Sequence, residues 1–511
     1  MRAFTLDRPA LGNDPPKLWA VGGLAAAAAG GAVALEPTLA LLGISVLAAA
    51  AVMVAKPEWT TYAVVFAIGA NVPTVLVDKY GLPATMAAVI PLLLALPFAD
   101  GVLRRQSIAL SPVLALLVVY FVLQLLGAAL SSDTSVSLER VKTFMFEGLV
   151  IFFLATNVLR TRSAVRNATW ALVAALAFLG GLTLVQALTH RYYTTFFGFA
   201  HTSFDFYYGF VPSPRYQGPI GDPNYFAQLL VVAVPLALVL AATANAPWKR
   251  WAGIASTVLI VAGIVLTYSR GAVVALGLIA VGLVLLRELR ARHLLIGIVA
   301  LAVVIAAIPS YRARVASLGS VQGANAQAGS QAASPDQSVR ARATEMRAAL
   351  LAIESHPVLG LGPGGFPLHY QEYALQVGGE VHARVKFGPD KGQEPERQAH
   401  DLYLSVATDN GGVGLLLFLA IIFVAMRSLL RVRRRAGDDG DAATASLATA
   451  YVLAIVGFLT AGIFLSLAYE RYFWLLLAVA TALVRARDDE ANASARSRRA
   501  SEASASSATA T

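Results

Sequence analysis

Apolar runs of about 20 residues recur along most of the chain, separated by short polar stretches. As a helix, a run of that length crosses the ~30 Å hydrocarbon layer of a bilayer. The pattern predicts fourteen spans, near residues 18–35, 38–55, 60–77, 82–99, 110–130, 144–160, 167–188, 223–243, 251–268, 271–287, 293–309, 402–426, 447–466 and 472–485. The pair 251–268 and 271–287 is barely separated, so it is either a tight hairpin or a broken helix. Two polar segments interrupt the series, 189–222 and 310–401. In the second, residues 315–338 are small and polar and read as a mobile insert. Val339, Met346, Leu350 and Ile353 then recur at helical spacing, with Arg340, Arg342 and Arg347 between them, until Pro357 stops the helix. A basic amphipathic helix of this kind lies along a membrane surface or packs on the rest of its loop.

The expected organisation is a transmembrane bundle at 1–188, further spans carrying arginine motifs at 189–309, a large loop at 310–401, C-terminal spans at 402–486 and a disordered tail at 487–511. The predicted fold class is all-α, a polytopic bundle of about 12–14 transmembrane helices.

Composition narrows the class. Hydrophobic residues make up 57% of the 511 and charged residues 14%, with mean hydropathy +0.65. That is too little charge to cover the surface of a soluble domain, and too apolar for a disordered chain. The net charge of +10 would suit nucleic acid or basic cytoplasmic loops. Its distribution favours the loops. With the N-terminus inside, 24 of the 40 Lys and Arg fall on the cytoplasmic side, and nine of the others lie in the 310–401 loop. Long loops do not count in the positive-inside rule. Both termini are therefore expected in the cytoplasm, with 189–222 and 310–401 outside, and no nucleic-acid partner is expected. Arg8 and Lys17 before an alanine-rich run ending Ala32-Val33-Ala34 also resemble a cleaved signal peptide, but a second apolar run follows at once and favours an uncleaved first span. There is no cysteine, which excludes disulfides, thiol nucleophiles and Cys-ligated metals.

Spans 38–55, 60–77 and 110–130 carry no Asp, Glu, His, Lys or Arg away from their ends, and Glu147 is the clearest charge inside any span. Transporters usually place such groups near the midplane. Here polar residues gather at the outer face, as in an interfacial active site. Three segments stand out there: Ser213–Ala227, with Arg215, Asp222 and Asn224; Tyr268–Gly271, with Ser269 and Arg270; and His400-Asp401-Leu-Tyr-Leu. Each has a plainer reading. Arg270 could be an interfacial snorkelling arginine, although it has no neighbouring acid and sits where the charge rule disfavours it. Asp222 and Asp401 could be helix N-caps, and Gly360–Phe366 a structural turn rather than a phosphate cradle. The ten aromatics at 192–210 suit an interfacial belt, with sugar stacking as the alternative.

Four stretches together carry a family resemblance: R-x-x-G-x-x-x-D-P-N-x-x-A at 215–227, Y-S-R-G-A at 268–272, H-P-x-L-G-x-G-P-G-G-F at 356–366 and H-D-x-Y-L-x-x-x-x-D-N-G at 400–411. In this order they resemble the O-antigen ligase and polymerase superfamily of bacterial polysaccharide assembly. The resemblance implies a GT-C-like glycosyltransferase of the bacterial inner membrane. Such an enzyme takes a glycan from an undecaprenyl-diphosphate carrier at the periplasmic face and passes it to an acceptor hydroxyl. On that expectation Arg215 and Arg270 hold the donor diphosphate and His400 activates the acceptor, with Asp222, Asn224, Ser269 and Asp401 in support and no metal or other cofactor. The acceptor is lipid A-core for a ligase, another repeat unit for a polymerase, or a protein for an O-oligosaccharyltransferase; ligase is favoured. A polysaccharide flippase is the competing class, but it would want a polar central cavity and no ninety-residue outer loop.

Overall fold

The structure, a computed structural model, describes residues 57–83, 86–207, 211–288, 290, 292, 295, 335–378, 397–467 and 470–509. The spans expected at 18–35, 38–55 and 293–309, the cleavage-site reading and the insert up to residue 334 lie outside them. The chain divides into two units, 1–60 and 61–511, and only 57–60 of the first are described.

The described elements are α1 (Pro57–Gly69), α2 (Val72–Tyr80), α3 (Met86–Leu92), α4 (Ala95–Leu103), α5 (Pro112–Leu130), α6 (Thr134–Phe144), a π turn (Met145–Val150) leading into α7 (Ile151–Val158), and α8 (Arg162–Leu188). The strands β1 (His201–Tyr207) and β2 (Val211–Gly218) follow, then α9 (Pro223–Val231), α10 (Ala233–Ala242), α11 (Pro247–Leu266) and α12 (Arg270–Leu285). After the insert come α13 (Pro335–Ser355), α14 (Gly365–Gln376), α15 (Leu402–Asp438), α16 (Ala442–Gly462) and α17 (Arg471–Thr509).

Among the described residues seven helices are long and apolar enough to cross a membrane, and they fall on the spans expected at 110–130, 144–160, 167–188, 223–243, 251–268, 402–426 and 447–466. The span expected at 60–77 is two helices, bent by 59° across the break before Val72; Asn71 there is in the left-handed region and Pro73 restarts the helix. Pro91 sits inside α3, next to the break before α4, in the span expected at 82–99. The pair at 251–287 is a tight hairpin, α11 and α12, turning at Thr267–Ser269. A large buried cluster, including Leu176, Leu230, Ile264, Phe418, Tyr451 and Trp474, joins these helices.

Two features differ from expectation. The chain is helical but not all-α, because β1 and β2 form an antiparallel hairpin that pairs Ser203 with Arg215. The density of aromatics at 192–210 hid its strand character. The tail expected to be disordered continues α17 as helix through Thr509, in keeping with the helix propensity of its Ala, Glu and Arg.

The loops assigned to the cytoplasm meet at one end of the bundle. Arg162 pairs with Asp441 and Arg487 with Asp439, Arg435 lies 3.6 Å from Asp488, and Arg433 donates to the Leu286 carbonyl at 3.0 Å. The motif segments lie at the other ends of α11, α12 and α15.

Candidate active site

Arg215 lies near the end of β2, and its guanidinium reaches the α11–α12 turn: Nε lies 3.4 Å from the Thr267 carbonyl and Nη2 3.5 Å from the Asn224 side-chain oxygen. The hairpin thus brings the first motif against the second. Arg270 opens α12, is exposed, and makes no hydrogen bond or ion pair among the described residues. Ser269 occupies the N-cap position and is buried, but its side chain caps nothing. Tyr268 before it has a φ of 56°, a conformation rare outside glycine and held here inside the core.

Asp222 is the N-cap of α9, its carboxylate accepting from the Asn224 and Tyr225 N–H groups at 2.7 and 3.0 Å. Asp401 caps α15 likewise, accepting from Leu404 N–H at 2.8 Å, and burial pushes its carboxyl above the ordinary range. Both acids therefore take the capping role the sequence allowed. The start of α9 also joins the arginines to the His400 segment. Next to Asn224, the Tyr225 hydroxyl lies 3.1 Å from the Gln398 side-chain oxygen and 2.9 Å from the Ser466 carbonyl, and Gln398 is two residues before His400.

His400 itself has a φ of 49°. Its Nε2 lies 3.3 Å from Oε2 of Glu345, whose other oxygen accepts from Arg397 at 3.0 Å. Glu345 is 1% exposed, on the face of α13 formed by Ala348, Ala349 and Ala352. This face packs into a small cluster with Phe366 and Tyr370 of α14. Met346 and Leu350, from the apolar stripe expected to meet either a membrane surface or the rest of the loop, are exposed. The helix therefore packs on its loop by its small residues and leaves its large ones outward. The sequence reading missed Glu345 and Arg397. The signal available was Glu345 in register with Ala348, Ala349 and Ala352, the i, i+3, i+4, i+7 spacing of one helix face.

The Gly-rich segment is a structural turn. Gly360 (φ 70°) lies so close to α15 that an added Cβ would come within 2.5 Å of the Thr408 carbonyl, and Leu361 N–H donates to that carbonyl at 2.8 Å. α15 kinks at Gly411 (φ 66°, ψ −173°), where a Cβ would meet the Val358 carbonyl at 2.1 Å. Gly364 N–H donates to the buried Asp409 carboxylate at 3.0 Å. The third and fourth motifs are thus locked together backbone to backbone. Beside them is a cavity of about 50 Å³, lined by Arg140, Gly364, Gln398, Ser405, Asp409 and Ser466 among others. A larger cavity, about 340 Å³, opens at the opposite end beside Ser107 and Arg485, away from every motif residue. Below the site, Glu147 in the π turn is gripped by Arg471 through both oxygens, at 3.0 and 3.1 Å. Among the described residues no three His, Asp or Glu side chains cluster as metal ligands.

The helical bundle thus gathers two arginines, a histidine and a buried carboxylate at one end, opposite a basic end. Residues 255–419, which contain Arg270, the Gly-rich turn and His400, match the O-antigen ligase family, and this supports a kinship of that stretch with the O-antigen ligase and polymerase superfamily. Arg215 lies outside the matched stretch. No curated protein matches the chain.

Proposed function

We propose that the protein is a metal-independent glycosyltransferase of the bacterial inner membrane that moves a glycan from undecaprenyl diphosphate to an acceptor hydroxyl at the periplasmic face, with lipid A-core as the acceptor. The observation that carries this reading is the approach of Arg215 to the turn bearing Arg270, with the His400 segment tied to the same place through Tyr225 and Gln398. A lipid diphosphate lies at the interface, where planar guanidinium groups grip phosphate by two hydrogen bonds. Arg270 adds its charge at the N-terminal, positive end of a 16-residue helix.

The reaction needs little beyond these groups. His400 takes the acceptor proton while the acceptor oxygen bonds to the anomeric carbon. The bond from that carbon to the diphosphate oxygen breaks, and its electron pair leaves on the diphosphate. Fixed positive charge stabilises that growing negative charge most, which is transition-state rather than ground-state binding. Diphosphate is a good leaving group, so no general acid is required, and a neutral imidazole is suited to take the proton near pH 7.

Glycan analysis of a deletion strain tests the assignment. Loss of polymer from the lipid A core, with long carrier-linked chains retained, is the expected result. Single repeats on the core would make the protein a polymerase, and loss of protein-linked glycan an O-oligosaccharyltransferase. Unchanged glycans with altered solute uptake would contradict enzyme function altogether.

A further inference from the structure

We propose that Glu345 is the positioning residue for His400: it fixes the imidazole and stabilises the imidazolium formed when the acceptor proton is taken up. This rests on the reading of His400 as the base. A carboxylate among alanines is costly to bury unless it is paired; Glu345 accepts from Arg397 at 3.0 Å through Oε1, and its Oε2 faces His400 Nε2 at 3.3 Å, an ion-pair distance when the ring is protonated. Replacing such a pair by apolar residues is often neutral or better for stability, so packing alone gives no reason for the charge. His400 also holds a left-handed backbone at the point where its ring meets the carboxylate, and conformations of that kind persist where the surroundings over-determine them.

The groups around the ring have distinct parts. Arg397, from the same segment as His400, donates to the other carboxylate oxygen of Glu345 and holds it in place. Asp401 is committed to capping α15. Tyr370 of α14 faces Glu345 and Arg397, and its hydroxyl is pushed up by burial and by the Glu345 charge. As the proton transfers, the ring becomes positive whichever nitrogen carries it, and the carboxylate beside it favours that charged form. The contact is slightly long for a hydrogen bond, as catalytic contacts often are before substrate tightens them. The logic is that of an orienting carboxylate behind a histidine base, which does not itself take the proton.

The test uses full-length protein in nanodiscs, with carrier-linked glycan and lipid A-core purified from the producing cells. Glu345→Gln and Glu345→Asp are measured alone and with His400→Ala. Glu345→Gln is expected to lower kcat about 10–100-fold, part of the ~10²–10⁴ a base supplies, with KM within about twofold. Glu345→Asp should recover part of the loss, and Glu345→Gln should cost nothing further once His400 is gone. Independently of activity, the pH midpoint for carbethoxylation of the peptide bearing His400 should fall in Glu345→Gln, because the imidazolium loses its partner. An equal fold-loss in both backgrounds, or an unshifted midpoint, would overturn the role of Glu345. Normal turnover by His400→Ala would instead overturn the base assignment, leaving the midpoint to decide whether Glu345 governs the ring.

Discussion

Arg215, Arg270 and His400, the residues proposed for the site, stand out in the sequence because each sits in a motif that is odd for its surroundings. Arg270 is an arginine where the charge rule disfavours one, and it emerges exposed and without a bonding partner among the described residues. Arg270→Ala should abolish transfer at normal membrane level, and Arg270→Lys should restore little, because an ammonium cannot form the planar two-bond grip on phosphate; near-normal polymer display by the Lys variant would reduce Arg270 to a charge anchor. Glu345 was not legible, because the large apolar residues of its helix drew the eye to the opposite face. A pH effect belongs to a third residue. Burial pushes the Glu470 carboxyl, in the turn before α17, up to about 7; Arg471 opposes the shift and Glu147 adds to it. A carboxyl with a raised folded-state pKa binds its proton more tightly when folded. Its contribution is therefore full below the ordinary 4.5 and lost as pH rises through about 7. Thermal unfolding of detergent-solubilised protein should show stability falling over that window, with a flatter profile for Glu470→Gln. Identical profiles would show that Glu470 does not titrate there.

At the scale of elements, most spans were readable from apolar length, and what failed to read was how they break. Pro91 and the Asn71–Pro73 turn split two spans that hydropathy treats as continuous. The β1–β2 hairpin escaped because its aromatics suit a membrane belt as well as a strand, yet this hairpin carries Arg215 to the α11–α12 turn. The glycine turn and the kink in α15 form one structural device, since Gly411 accommodates the Val358 carbonyl only without a side chain. Gly411→Ala combines a left-handed φ with a steric clash, and strained backbone of this kind costs about 1–3 kcal/mol before the clash is counted. The expected outcome is a lowered melting temperature together with loss of transfer, as the Gly360 turn and the start of α15 separate. An unchanged melting temperature would mean that the lock is not needed for folding.

For the whole molecule, the charge rule and chain parity predicted two ends of opposite character. The ion pairs joining Arg162 to Asp441 and Arg487 to Asp439 gather the loops assigned to the cytoplasm, while the motifs meet at the opposite end. Orientation in the membrane is open to direct labelling, which a cysteine-free chain makes simple. A cysteine at the exposed Glu372 in α14 should react with an impermeant thiol reagent once the outer membrane is permeabilised, and one at the exposed Asp438 should stay protected. The reverse pattern would invert the topology.

The central claim is that the arginines and His400 carry glycan transfer from a lipid diphosphate without a metal. It is tested most directly by single-turnover transfer with purified protein, carrier-linked glycan and lipid A-core in the presence of chelator. The account predicts full wild-type transfer in chelator, a rate ~10²–10⁴-fold lower for His400→Ala with donor binding intact, and none for Arg270→Ala. Wild-type activity that disappears in chelator and returns with magnesium or manganese, or a His400→Ala variant that transfers normally, would contradict it.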